Sequence, residues 1–84
     1  MNFEEGFRVT GTVTGNYAAL NSDVGFVINP GSTVIGNTAT DGSRFGFAVV
    51  CPANLTDNTA INNKDGNLVV LSGEGCNITN NLAP

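Results

Sequence analysis

A short unit recurs four times along the chain, and this recurrence constrains the fold more than any other feature. The first copy reads Gly6-Phe7-Arg8-Val9, then Val13-Thr14-Gly15-Asn16-Tyr17-Ala18. The second reads Gly25-Phe26-Val27-Ile28, then Val34-Ile35-Gly36-Asn37-Thr38-Ala39. The third reads Gly46-Phe47-Ala48-Val49, then Leu55-Thr56-Asp57-Asn58-Thr59-Ala60. The fourth reads Asn67-Leu68-Val69-Val70, then Ile78-Thr79-Asn80-Asn81-Leu82-Ala83. Two signatures therefore repeat, (Phe/Leu)-x-(Val/Ile) and aliphatic-x-x-Asn-x-Ala. Each of Ala18, Ala39 and Ala60 lies eight residues before the Phe or Leu of the next copy's first signature, whereas the gap between the signatures grows from four to six, six and eight. One junction is fixed and the other takes insertions, as in a coil with one structural turn and one variable loop.

Within each copy the apolar period is two, so Phe26 and Ile28, or Phe47 and Val49, point the same way. No stretch sustains a helical stripe, and Gly and Asn punctuate the chain throughout. A hydrophobic content of 40% argues against disorder. A unit of 21 residues holding short strands cannot bury its own apolar face, but stacked units form a continuous core. The 84 residues thus predict one all-β domain over residues 6–84, with residues 1–5 as an N-terminal cap or tail.

Asn16, Asn37, Asn58 and Asn81 hold one place in the unit, three residues after an aliphatic and two before an Ala. Asn tolerates left-handed backbone angles, which suits it to a bend between two strands. Stacking would also align the four amides into a hydrogen-bonded ladder. On these residues the chain resembles the right-handed parallel β-helix repeat proteins of the pectate-lyase-like superfold. The stretch Gly31 to Thr40 is especially similar to the repeats of bacterial β-helix proteins. The resemblance implies a β-solenoid of about four rungs, with three strands in each: one on Phe-x-Val, one ending at the Asn, and one running through Thr-Ala. It specifies fold and leaves chemistry open.

Composition removes several functions. Three basic residues, Arg8, Arg44 and Lys64, cannot form a nucleic-acid stripe, and the net charge is −4. Apolar runs such as Phe47–Val50 and Leu68–Leu71 are far shorter than a membrane span, and the N-terminus lacks a signal-peptide layout. Without His, the commonest general base and metal ligand is missing. Two Cys do not complete a zinc shell, and no calcium-binding nonapeptide repeat is present, so neither metal nor cofactor is expected.

Asp41, Arg44, Lys64 and Asp65 fall in the fixed turn between one copy and the next. Paired carboxylates there could act on a glycosidic bond or hold a carbohydrate. Asp41-Gly42 and Asp65-Gly66 are, however, ordinary turn dipeptides. Four rungs also rise only about 19 Å, short for a polysaccharide cleft. No enzyme is expected; a carbohydrate-binding module, or a remnant of a polysaccharide-active protein, is the alternative reading.

Cys51 and Cys76 lie in the variable loop of adjacent rungs, within plausible bonding reach. A disulfide would tie down the last rung and imply an oxidising compartment, extracellular or periplasmic. The alternative is a pair of reduced, half-buried thiols in a cytoplasmic protein. Asn54-Leu55-Thr56 and Asn77-Ile78-Thr79 match the glycosylation pattern, but their equivalent places in the repeat account for them without glycans.

Outward Thr in ranks would suit ice or a sugar surface. Beside the ladder, however, the columns read Tyr17, Thr38, Thr59, Leu82 and Ala19, Thr40, Ile61, Pro84, with no regular Thr array, so ice binding is not expected. On the first strand, the residues between the inward ones form an outer face of Val27, Ala48, Val50, Val69 and Leu71. A contiguous apolar face of this kind marks an interaction site. The sequence therefore points to a non-catalytic structural or interaction module that assembles as a homo-oligomer, a dimer or trimer.

Overall fold

The computed structural model describes residues 7–19 and 24–84. The stretch expected to act as an N-terminal cap, residues 1–5, lies outside the described residues. Those described form eleven short strands and no helix. The first rung holds β1 (Phe7–Val9), β2 (Thr12–Thr14) and β3 (Tyr17–Ala19), and the second β4 (Phe26–Ile28), β5 (Ser32–Ile35) and β6 (Thr38–Thr40). The third holds β7 (Phe45–Val50), β8 (Ala53–Thr56) and β9 (Thr59–Ile61). The fourth holds β10 (Gly66–Ser72) and β11 (Asn77–Thr79), and closes on a single parallel bridge between Thr59 and Leu82.

All strand pairs are parallel and join equivalent places in successive copies. Three sheets result: β1-β4-β7-β10, β2-β5-β8-β11 and β3-β6-β9. The fold is a parallel β-solenoid of three full turns with a fourth that is only partly closed. Strands this short gain little from their own hydrogen bonds, so the stacked core supplies the stability.

Equivalent residues stack on each other in that core. Phe7 lies on Phe26 with ring centroids 4.9 Å apart, and Phe26 on Phe47 at 4.7 Å, the rings of each pair stacked and nearly parallel. Leu68 ends this column, paired in register with Phe47. Ile28 and Val49 form a second column, Val34 and Leu55 a third, and Ala39 and Ala60 a fourth, all fully buried or nearly so. Ala is required at the last place because the adjoining turn comes close: a Cβ on Gly25 would sit 2.9 Å from Ala39 Cβ and 2.7 Å from the Gly46 carbonyl oxygen. A Cβ on Gly46 would meet the Asn67 carbonyl oxygen at 2.6 Å and Asn63 Nδ2 at 2.7 Å.

The fourth rung departs from the repeat in two ways. Asn67 stands where the earlier copies have glycine, and its side chain turns to Asn63. Second, β10 shifts register against β7: Val70 pairs with Val49, yet Ser72 pairs with Val50. Leu71 is thus the extra residue of a bulge and leaves the column in which the repeat would set it, beside Val50.

Substitution should separate tight glycines from merely left-handed ones. Gly46→Ala is expected to lower stability by about 2 kcal/mol or more, because backbone and buried amide must move. Gly36, at φ 68° with open space around its Cβ position, should accept Asn within about 0.5 kcal/mol, as Asn80 holds the equivalent place. Urea denaturation of the two variants measures both.

Candidate functional site

A column of amides runs through the bend between the second and third sheets. Asn16, Asn37 and Asn58 each donate from backbone N to Oδ1 of the Asn in the next rung, at 2.8, 2.9 and 2.9 Å. The same Oδ1 atoms accept from the preceding Nδ2 at 3.2, 3.3 and 2.9 Å. Three of the Nδ2 groups also reach back one rung, Asn37 to the Val13 carbonyl, Asn58 to that of Val34 and Asn81 to that of Leu55, whereas Asn16 Nδ2 donates to the Thr14 carbonyl of its own rung. Asn37 and Asn58 are 0% and 2% exposed, so these bonds satisfy amides that have no water to turn to.

The bend itself is made by other residues than the asparagines of the column. Left-handed φ belongs to the residue before each: Gly15, Gly36, Asp57 and Asn80, at 67°, 68°, 56° and 55°. This corrects the expectation that the repeated Asn supplies the turn conformation. The preceding residue turns the chain outward, which leaves the Asn side chain directed into the corner.

A second amide position, absent from the sequence reading, lies at the turn from the third sheet back to the first. Asn63 Oδ1 accepts from Gly42 N at 3.0 Å, and its Nδ2 donates to the Ala39 carbonyl at 3.1 Å. Where a further rung would offer the next acceptor, Asn67 Oδ1 folds in and accepts from Asn63 N and Nδ2 at 3.2 and 3.0 Å. Asn67 thus caps this column. The signal was the 21-residue offset between Gly42 and Asn63, each following a left-handed Asp41 or Asn62.

The charged cluster occupies the same turn. Arg44 Nε lies 3.8 Å from Asp65 Oδ2, and its guanidinium sits 4.9 Å from the centre of the Phe45 ring. Arg44 and Asp65 are half-exposed, so their attraction contributes at most about 1 kcal/mol. Asp41 Oδ2 accepts from the Thr40 hydroxyl at 2.6 Å, and Lys64 donates its backbone N to the Gly42 carbonyl. Local contacts therefore occupy Asp41, Arg44 and Asp65, and Asp41 and Lys64 are exposed turn residues.

At the variable corner Cys51 and Cys76 form a disulfide with Cα atoms 5.2 Å apart. Beside it lies a shallow depression of about 260 Å³, lined by Gly31, Ser32, Pro52, Ala53, Asn54 and Gly75. Among the described residues no group of three acidic, Cys or His side chains is placed to hold a metal ion.

The outer face of the first sheet is less apolar than its sequence suggests. Val27, Val50 and Val69 are half-buried and Leu71 is exposed, but Ala48 is 1% exposed and offers no surface. The small Ala48 sits between the larger Val27 and Val69, its partners in register on either side, and is shaded by them.

The second sheet carries two outward ranks of short side chains, most of them Thr. Its first outward rank is Thr12, Thr33, Asn54 and Asn77, joined strand to strand in register. Its second is Thr14, Ile35, Thr56 and Thr79. The columns read for Thr beside the amides, from Tyr17 and Ala19 onward, belong to the third sheet. The missed signal was a polar-aliphatic-Thr triplet around the first residue of the second signature, with Ile35 as its one departure.

Compared with known proteins, this parallel β-solenoid matches no protein family, no curated protein and no solved structure.

Two outcomes follow. Asn58→Ala should cost about 3 kcal/mol, because it strands the Asn37 amide N–H and the Val34 carbonyl in a dry corner. Asn16→Ala, half-exposed and at the first described rung, should cost about 1 kcal/mol or less; chemical denaturation distinguishes the two. Reducing the disulfide releases a 25-residue separation and should lower stability by about 3 kcal/mol, with hydrogen exchange rising first in β11.

Proposed function

We propose that this chain is a non-catalytic structural module that self-associates through its fourth rung. The observation that carries the reading is where the exposed apolar side chains lie. Six large hydrophobic residues are exposed among those described, and four of them, Val70, Leu71, Ile78 and Leu82, belong to that rung. Val70 and Ile78 pair in register with the buried Val49 and Leu55, so this end is a section through the core. A section through stacked rungs is matched best by another rung of the same spacing, which a second copy of the chain provides. The half-buried Val27, Val50 and Val69 would then flank the contact instead of forming its centre.

We further read the solenoid as right-handed and of the pectate-lyase-like type, supported by the column of amides and the stacked Phe residues. The disulfide supports a place in an oxidising compartment, extracellular or periplasmic. Carbohydrate binding at the charged turn draws weaker support, since Arg44 and Asp65 neutralise each other there.

Light scattering over a concentration series tests the reading. A dimer or trimer is expected at micromolar protein, and Val70→Asp or Leu82→Asp should return the monomer mass while retaining the β-sheet circular dichroism. A monomer at every concentration overturns it.

A further inference from the structure

The two outward ranks on β2, β5, β8 and β11 repeat as a lattice. Neighbouring parallel strands lie about 4.8 Å apart, and residues two apart on one strand lie about 6.6 Å apart. Unlike the first sheet, this sheet keeps an unbroken register across all four strands. Five of the eight outward positions are Thr, two are Asn and one is Ile, so none carries a charge or an aromatic ring. Thr is stiff at χ1, which fixes where each methyl and hydroxyl lies. The side chains also hold one another along the ranks. Asn77 Nδ2 donates to Asn54 Oδ1 at 2.9 Å, and the Thr56 and Thr79 hydroxyls lie 3.3 Å apart. The face is ordered before any ligand arrives, so little freedom is lost on binding.

Most ligands need chemistry that this face lacks. Protein partners concentrate binding energy on Trp, Tyr and Arg. Nucleic acids require Lys or Arg against phosphates. Sugar surfaces favour a flat aromatic ring that combines an apolar face with a polar edge. What remains is an uncharged grid in unbroken register, made of short hydrogen-bonding groups interspersed with methyls. Crystalline water also repeats in two dimensions, at comparable intervals, and bonds through single oxygen atoms. Hydroxyls and amides at lattice intervals hold surface waters in place, while the methyls lose hydration as the crystal is met. From this geometry we infer that the outer face of the second sheet binds ice, with Thr14, Thr56 and Thr79 the main contributors to one rank and Thr12 and Thr33 to the other.

Ile35 is the single break in the second rank, and it is 39% exposed on the same face. Its replacement by Thr completes that rank without touching the core.

The test is ice-crystal shaping and thermal hysteresis measured on the whole chain. The unmodified protein should facet ice and hold freezing below melting. Thr14→Lys should abolish both with an unchanged circular-dichroism melt, whereas Tyr17→Lys, on the third sheet, should leave both intact. Ile35→Thr should widen the hysteresis gap. Absence of ice shaping by the unmodified chain overturns the inference, as does retention of activity in Thr14→Lys or loss of it in Tyr17→Lys. An unchanged or narrower gap in Ile35→Thr does the same. The inference is independent of self-association, because Thr14→Lys leaves Val70, Leu71, Ile78 and Leu82 unaltered.

Discussion

Register between rungs depends on an asparagine that bonds in both directions along the stack. Asn58 donates from Nδ2 to the Val34 carbonyl behind it and to Asn81 Oδ1 ahead, while its own Oδ1 takes both donors of Asn37. A strand of three residues has too few ladder bonds to resist sliding, and a one-residue slip would turn its apolar side chains to solvent. The amide opposes that slip because it is buried and its donors and acceptors fit only one offset. With the offset fixed, Phe falls on Phe, Ala on Ala, and each sheet inherits the same spacing.

Much of this was legible because a solenoid writes the same instructions at every turn. The position of Asn between an aliphatic and an Ala, and the eight residues from Ala to Phe, located the stacked units from the chain alone, and the resemblance to β-helix repeats implied three strands in each. Features peculiar to one rung were not legible. Nothing in Leu68-Val69-Val70-Leu71 marks Leu71 as a bulge, since an extra apolar residue looks like a longer strand. Ala48 is outward by alternation, yet it is buried between the larger Val27 and Val69, its partners in register.

The misassigned turn has a more instructive cause. Asn carries two competing signals, tolerance of left-handed backbone and a capacity for buried hydrogen bonding. At the amide column the second prevails, and the first is handed to the preceding residue, which is Gly, Gly, Asp or Asn in successive rungs. Asp57 and Asn80 then meet across rungs, with Asn80 Nδ2 donating to Asp57 Oδ1. The Thr ranks escaped notice for a related reason. The Thr residues beside the amides belong to the third sheet, whereas the unbroken register lies on the second.

The end of the stack and its second sheet are linked by this same spacing. Rank length grows with every rung added, and binding to a periodic surface strengthens with the number of groups engaged at once. A contact that stacked one chain on another in rung register would lengthen the Thr ranks as well as cover Val70 and Ile78. A contact rotated out of register would cover the apolar end and leave the ranks short. The bulge at Leu71 and the cap formed by Asn67 both fall on β10 in the first sheet, yet β11 remains in register with β8. The second sheet is thus the one on which the repeat reaches the fourth rung intact, and it is there that a neighbouring rung would find the spacing it needs.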